Sequence, residues 1–310
     1  MIKNKENEVI KMILPLVSVI LPTYSRTESL AAALDSLSKQ DYPEFEVVVV
    51  DDNSDETLKR KVRDIVEKFK EKHPKIKLDF IVNEKNCGSA MSRNIGINRA
   101  RGEYITFLDD DDVYMKDKIS VQLKGTLEAN ADYSITDLYL YNEKGHICDK
   151  RIRDYITDYN SENLLKWHMM YHITGTDSLM FRTSYIKKIG SFTLIDRGDE
   201  FYLMLKAIKG GGKFCYIKTC GVKALVHTKT KGLSSGQGKI DGENQLFEFK
   251  KTYFSQFDKK TVKYIKMRHE AVIAFAYLRM KKHTKFIVYS ARSFFSAPFS
   301  CVELFLKFLR

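Results

Sequence analysis

The stretch Tyr104-Ile105-Thr106-Phe107-Leu108-Asp109-Asp110-Asp111-Asp112 constrains the fold more than any other. Its apolar part is short and rich in β-formers, which reads as a buried strand. The four carboxylates that follow cannot share that burial, because unpaired buried charge is too expensive. They must emerge at the strand's carboxyl end, and in open α/β sheets that edge is where ligands bind. Like charges so close repel, and a divalent cation with hard oxygen ligands is the simplest relief. If the segment stays extended, Asp109 and Asp111 point to one side and Asp110 and Asp112 to the other. A pair on one side could then hold Mg²⁺ or Mn²⁺ together with phosphate oxygens. A solvated acidic turn capping the next helix fits the same run equally well.

The chain before this stretch alternates. Residues 17–21 read as a strand ended by Pro22, and residues 27–39 as a helix with Ser25 or Thr27 at its N-cap. Residues 45–50 form an unbroken β-branched run, of the kind buried on both faces, that ends in Asp51 and Asp52. A charged amphipathic helix over 58–72, a strand over 76–82 and a helix over 90–101 precede the acidic strand, and a helix over 116–129 follows it. Strand–helix alternation of this kind predicts an α/β fold with a mostly parallel sheet built from right-handed βαβ units. Pro22, Asp51 and Asp109 should then share one sheet edge. Beyond residue 130 the rhythm loosens. Residues 133–141 read as a strand, 178–181 are apolar and short, 199–209 read as a helix, and 214–217 and 222–226 as two short strands. A Gly/Ser/Lys stretch over 229–242 suits a mobile lid, and the rest is helical, broken at Pro298. A boundary near 240 divides the catalytic domain, 1–240, from a basic helical extension, 241–310.

Charge is unevenly placed. Residues 201–310 carry 22 Lys and Arg against 6 Asp and Glu, net +16, whereas the first 200 residues are 30 against 34, net −4. A basic tail on a near-neutral body points to an anionic partner, or to a merely solvated face. Val302, Phe305, Leu306 and Leu309 fall on one helical face near the end, which suits either an anionic membrane surface or packing on protein. Five scattered cysteines without zinc-site spacing predict reduced thiols and a cytoplasmic setting. The polar start lacks the apolar stretch of a signal peptide, and no run is long and apolar enough to predict a spanning helix.

Four segments, taken in order, resemble family 2 glycosyltransferases: residues 17–24, 48–54, 86–94 and 107–112. The likeness is strong over about residues 16–115, weaker to about 230 and absent beyond. It implies a GT-A fold, Rossmann-like, with a mixed, mostly parallel sheet flanked by helices, here carrying the C-terminal helical extension. It also implies a nucleotide-sugar donor, expected to be a UDP-sugar. Uracil and ribose would lie against Pro22, Thr23, Tyr24 and Asp51, with further nucleotide contacts at Asn86 and Arg93. Asp109, Asp110 and Asp111 resemble the Asp-X-Asp motif, with Asp109 facing ribose or metal, Asp111 ligating Mn²⁺ or Mg²⁺, and Asp112 in the acidic pattern. Gly175 would lie near the donor sugar, and His227 resembles the histidine that completes the metal site. Glu200 stands at the family's base position, with Asp199 as second candidate.

The resemblance implies transfer to a glycan, lipid-linked or polymer acceptor, and the cysteines and the basic tail suggest the cytoplasm or the inner face of the membrane. It leaves room for an oligomer, and no nucleic-acid partner is expected. A metal-dependent nucleotidyltransferase and a non-catalytic nucleic-acid binder using the basic tail are the rival readings. The tail carries no recognised nucleic-acid motif and leaves the acidic clusters unexplained. The processive synthases of the family are disfavoured, because no Q-x-x-R-W pattern occurs.

Overall fold

The computed structural model describes residues 14–142, 144–195, 198–226 and 236–309. Its first half follows the alternation of the sequence: β1 (Val17–Thr23), α1 (Thr27–Ser38), β2 (Phe45–Asp51), α2 (Glu56–Lys72), β3 (Lys77–Val82), α3 (Ser89–Arg99) and β4 (Tyr104–Phe107). The second half contains β5 (Val113–Tyr114), α4 (Lys118–Glu128), β6 (Tyr133–Tyr141), β7 (Ile147–Arg151), α5 (Ser161–Tyr171), a 3₁₀ turn (Thr176–Ser178), β8 (Leu179–Arg182), α6 (Thr183–Lys188), α7 (Asp199–Lys209) and β9 (Phe214–Leu225). Four helices follow: α8 (Gly236–Lys251), α9 (Lys259–Arg279), α10 (His283–Ser296) and α11 (Pro298–Leu309).

The strands form one nine-stranded sheet in the order β3-β2-β1-β4-β8-β6-β9-β5, with β7 added beside β6. Strands β3, β2, β1 and β4 run parallel, β8 runs antiparallel between β4 and β6, and β6 pairs in parallel with β9. Period-two alternation loads both faces with apolar side chains. Ile20, Val48, Val50, Ile105 and Phe107 enter one core, while Val19, Leu21, Val47, Val49 and Tyr104 enter the other. Helix α3 lies so close to β1 that a Cβ on Gly96 would collide with Ile20. Register places Thr23 opposite Asp51, so the two strands end level, at the edge where β4 releases its acidic run.

Several local expectations are corrected. Neither Ser25 nor Thr27 caps α1. Arg26 holds the N-cap position without a side-chain bond, and Ser25 (φ 60°) instead gives its N–H to Asn53 Oδ1. The two short strands expected over 214–226 are one strand, β9, with an irregular register near residue 220. Helix α5 was not foreseen, although Asn160 caps it by accepting the Asn163 N–H. The glycine-rich stretch is not loop throughout: Gly236, Gly238 and Gly242 lie in α8, which also spans the expected boundary at 240, while residues 229–235 lie outside the described residues. No helix among the described residues is long and apolar enough to cross a membrane.

Candidate active site

The acidic run does not stay extended. Beyond β4 the chain turns at Asp110 and Asp111, and the Asp112 N–H bonds back to the Asp109 carbonyl at 3.1 Å. The expected alternation is therefore overturned. Asp109 and Asp112 fall on one side, where they meet Asp177 from the 3₁₀ turn, and ligand oxygens of all three lie within 4.8 Å of one another. Asp177 Oδ1 accepts the Asp109 N–H at 2.6 Å, and Asp112 Oδ1 accepts the Leu225 N–H at 2.8 Å. Burial and mutual repulsion of the carboxylates push both Asp112 and Asp177 above the ordinary carboxylate range. Three crowded oxygen donors of this kind are a fitting site for a hard divalent cation.

The remaining two aspartates turn towards β1. Thr23 Oγ1 and the Tyr24 N–H donate to Asp110 Oδ2 at 2.8 and 3.1 Å. Burial pushes the Asp110 carboxyl up to about 6, against these bonds and the nearby Arg26. Arg26 Nη1 lies 3.2 Å from Asp110 Oδ1 and 2.8 Å from Asp111 Oδ2. Asp110 thus ties the ends of β1 and β4 together, and Asp111 pairs with Arg26 rather than joining the three-carboxylate cluster.

At the end of β2, Asp51 Oδ1 accepts from Asn53 N and Nδ2, while the buried Asp51 Oδ2 has no hydrogen-bond partner among the described residues. Burial is also the main cause of its raised pKa. An unsatisfied buried acceptor costs about 1–3 kcal/mol, and a ligand N–H or O–H would remove that cost. Pro22 is the next-to-last residue of β1, opposite Val50, and Tyr24, just past the strand, is 53% exposed at the same edge. The loop before α3 is shaped by Asp52, a role the sequence did not suggest. Its carboxylate accepts the N–H groups of Cys87 and Gly88 at 2.9 Å each and Asn83 Nδ2 at 2.8 Å. Gly88 (φ 86°) makes that turn possible. Asn86 is bound in the same loop, through its N–H to Ser54 Oγ and its side-chain amide to the Asp52 carbonyl.

Arg93, buried on α3, joins the acidic run to α7. Its Nη2 lies 2.6 Å from Asp109 Oδ1 and its Nη1 2.9 Å from Asp199 Oδ2. Glu200, next in sequence, points elsewhere: its Oε2 accepts from Gly175 N and Thr176 Oγ1, each at 3.1 Å. Gly175 has φ 128°, and an added Cβ would press on Ser178 Oγ and Arg153 Nη2 at 3.1 and 3.2 Å. Arg153, fully buried, donates to the carbonyls of Thr136 and Thr174 and so supports this loop from below. Thus Thr23, Asp51, Arg93, Asp109, Gly175, Asp199 and Glu200, all singled out in the sequence, are brought to one edge. Asp177 was missed, although it stands two residues after Gly175. His227 lies outside the described residues.

The family model for glycosyl transferase family 2 matches residues 18–190. The chain belongs to this family. Among relatives, it is 28% identical over 224 residues to the glycosyltransferase MJ1057 of Methanocaldococcus jannaschii, covering 71% of this chain and 74% of that protein. It is 35% identical over 138 residues to TuaG of Bacillus subtilis, a putative teichuronic acid biosynthesis glycosyltransferase, covering 44% of this chain and about half (52%) of TuaG. Among solved structures, TarS 1-349 of S. aureus in complex with UDP-GlcNAc superposes with a TM-score of 0.58 at 22% identity, covering 90% and 91% of the two chains. The mannosyltransferase PcManGT of Pyrobaculum calidifontis, with GDP-Man and Mn²⁺, gives 0.58 at 18% identity, covering 96% and 88%. These structural likenesses show a shared GT-A fold with C-terminal helices.

Proposed function

We propose that this protein is an inverting glycosyltransferase that moves a hexosyl or N-acetylhexosaminyl group from a UDP-sugar to a hydroxyl of a cell-surface glycan or wall polymer, polymeric or lipid-linked. The observation that carries this reading is the pairing of Glu200 with the Gly175–Thr176 turn, directly before Asp177 and the carboxylate cluster. A base, a sugar-side loop and a diphosphate-side acidic site then lie in one row along the sheet edge.

Each residue has a task in this reading. The unsatisfied Asp51 Oδ2 accepts a base N–H, while Pro22, Thr23 and Tyr24 border base and ribose. Asn86 and Arg93 lie on the nucleotide side. Asp109, Asp112 and Asp177 would hold the divalent cation, with His227 from the sequence pattern as a further ligand and Asp111 displaced towards Arg26. That cation, Mn²⁺ or Mg²⁺, supplies positive charge for the departing diphosphate. Glu200 takes the proton of the acceptor hydroxyl. The acceptor oxygen then bonds to the anomeric carbon as the bond to the diphosphate breaks, and the nucleoside diphosphate leaves with the electron pair. Base catalysis contributes about 10²–10⁴-fold, and Arg93 keeps Asp199 out of competition for the proton.

Support for the donor and acceptor classes comes from names in the family. TarS was solved with UDP-GlcNAc, TuaG is named for teichuronic acid, and AmsB of Erwinia amylovora for amylovoran. The catalytic unit would end with β9, the helices from α8 onward would form the extension, and the enzyme would work in the cytoplasm. A screen of nucleotide sugars for released nucleoside diphosphate, with Mn²⁺ and with Glu200→Gln alongside, tests the reading. Release from a UDP-sugar that is lost in the variant is expected. Pyrophosphate release from a nucleoside triphosphate would instead make it a nucleotidyltransferase.

A further inference from the structure

We infer that α10 and α11 form a docking surface for an anionic lipid bilayer, centred on Phe295 and Phe299. Helix α10 has two apolar faces, and among the described residues only one of them is packed against another element. Phe286, Tyr289 and Ser293 turn inward: the first two pack against Ile273, Ala276 and Tyr277 of α9, and Ser293 Oγ donates to the Met267 carbonyl at 2.9 Å. The other face, at spacing i, i+4, i+7, i+8, consists of Ile287, Ala291, Phe294 and Phe295, with Val288 beside them, and all are exposed. Phe295 is 80% exposed. Beyond the break at Ala297, α11 adds Phe299, 93% exposed, and Val302, Phe305 and Leu306, each about half exposed. Isolated exposed apolar residues need no explanation, but a run of exposed apolar and aromatic side chains on two successive helices marks an interaction surface.

The chemistry of the rim selects the partner. Arg279, Lys281 and Lys282 before α10 and Lys285 and Arg292 on it are all exposed, and from residue 279 onward Glu303 is the sole carboxylate side chain. Lys285 and Arg292 stand at one edge of the α10 face, over the rings of Tyr277 and Tyr289 at 5.0 Å each. Aromatic and aliphatic side chains in the centre with long basic side chains at the edge suit a helix lying in a bilayer interface. The rings enter the acyl boundary while ammonium and guanidinium groups meet anionic headgroups. A second copy of this chain would meet the same basic rim with like charge, so it is the weaker occupant.

Sedimentation of the full chain with phosphatidylglycerol-containing vesicles and with pure phosphatidylcholine vesicles tests this, because Phe295 and Phe299 carry no core contact whose loss would unfold the protein. The expected result is binding to the anionic vesicles that weakens with salt, and a loss of roughly tenfold or more in Phe295→Ser/Phe299→Ser, since each ring contributes apolar burial. Phe299→Trp should add blue-shifted emission on vesicle addition, read against the single native Trp167. Absence of binding at low salt overturns the proposal. So does unchanged vesicle binding in the double serine variant, or a dimer in light scattering that the double variant dissolves while vesicles have no effect.

Discussion

Asp199 Oδ2 lies 2.9 Å from Arg93 Nη1, and this one contact gives Asp199 a different partner from the adjacent Glu200, the other candidate base of the sequence. Asp199 neutralises a buried guanidinium, whereas Glu200 reaches the Gly175–Thr176 turn. Removing one partner of a buried pair typically costs about 3–5 kcal/mol, softened here because Arg93 keeps Asp109. Asp199→Asn should therefore lower the melting temperature. Glu200→Gln, whose amide oxygen can still accept from Gly175, should melt like the wild type, bind nucleotide and lose at least about a hundredfold in kcat. Thermal melts and steady-state kinetics on the two variants check this. An active Glu200→Gln with a stable but dead Asp199→Asn would reverse the assignment.

The carboxylate cluster predicts how the protein responds to metal. A cation that binds only the native state stabilises it, by about 2.7 kcal/mol at a hundredfold excess over Kd. Mn²⁺ should raise the melting temperature of the wild type and fail to do so in Asp112→Asn and Asp177→Asn, whose amides preserve the bonds to Leu225 N and Asp109 N. Asp111→Asn should retain more of the response, because Asp111 faces Arg26. A response that survives in Asp177→Asn but vanishes in Asp111→Asn would move the site along the acidic run.

What the sequence made legible was the frame. Runs such as Val47 to Val50 have one good solution, a strand buried on both faces, and their terminal carboxylates mark the sheet edge. Less legible was the path of four identical residues. Nothing in Asp109 to Asp112 reveals the turn that brings Asp112 back to Asp109. Asp177 escaped notice because its partner is 68 residues away and its neighbours read as a glycine loop. Helix α5 was hidden by its polar first turn, yet the Asn160 cap and the spacing of Leu164, His168 and Met169 could have disclosed it.

His168 predicts an acid limb in stability. Its Nδ1 accepts the Ile173 N–H, so Nε2 carries the proton and donates to the Phe201 carbonyl at 3.0 Å. Burial pushes the imidazole down to about 3, against about 6.5 in an unfolded chain. Between those values the unfolded state binds the extra proton, so stability falls as pH drops below about 6.5 and the loss is complete only near pH 3. His168→Gln removes this group's share. Urea unfolding should show the wild type well ahead of His168→Gln at neutral pH and the gap closing as pH falls towards 4. Parallel curves would mean that the imidazole also charges when folded.

Gly175 connects the fold to the proposed chemistry. Its backbone N–H is one of the two donors to Glu200, and φ 128° is a conformation that side chains rarely adopt. A methyl group there would also press on Ser178, Arg153 and Leu138, all between 3.1 and 3.2 Å away. Strain of this kind costs about 1–3 kcal/mol, and the loop can relieve it only by rotating the peptide that orients Glu200. Gly175→Ala should therefore lower the melting temperature modestly and reduce kcat, while nucleotide binding at the β1–β2 edge, proposed at Thr23 and Asp51, stays near wild type. Calorimetry with UDP beside donor turnover separates the two effects. A variant that loses UDP affinity and turnover in equal measure would show that Gly175 shapes the nucleotide end of the cleft rather than the setting of Glu200.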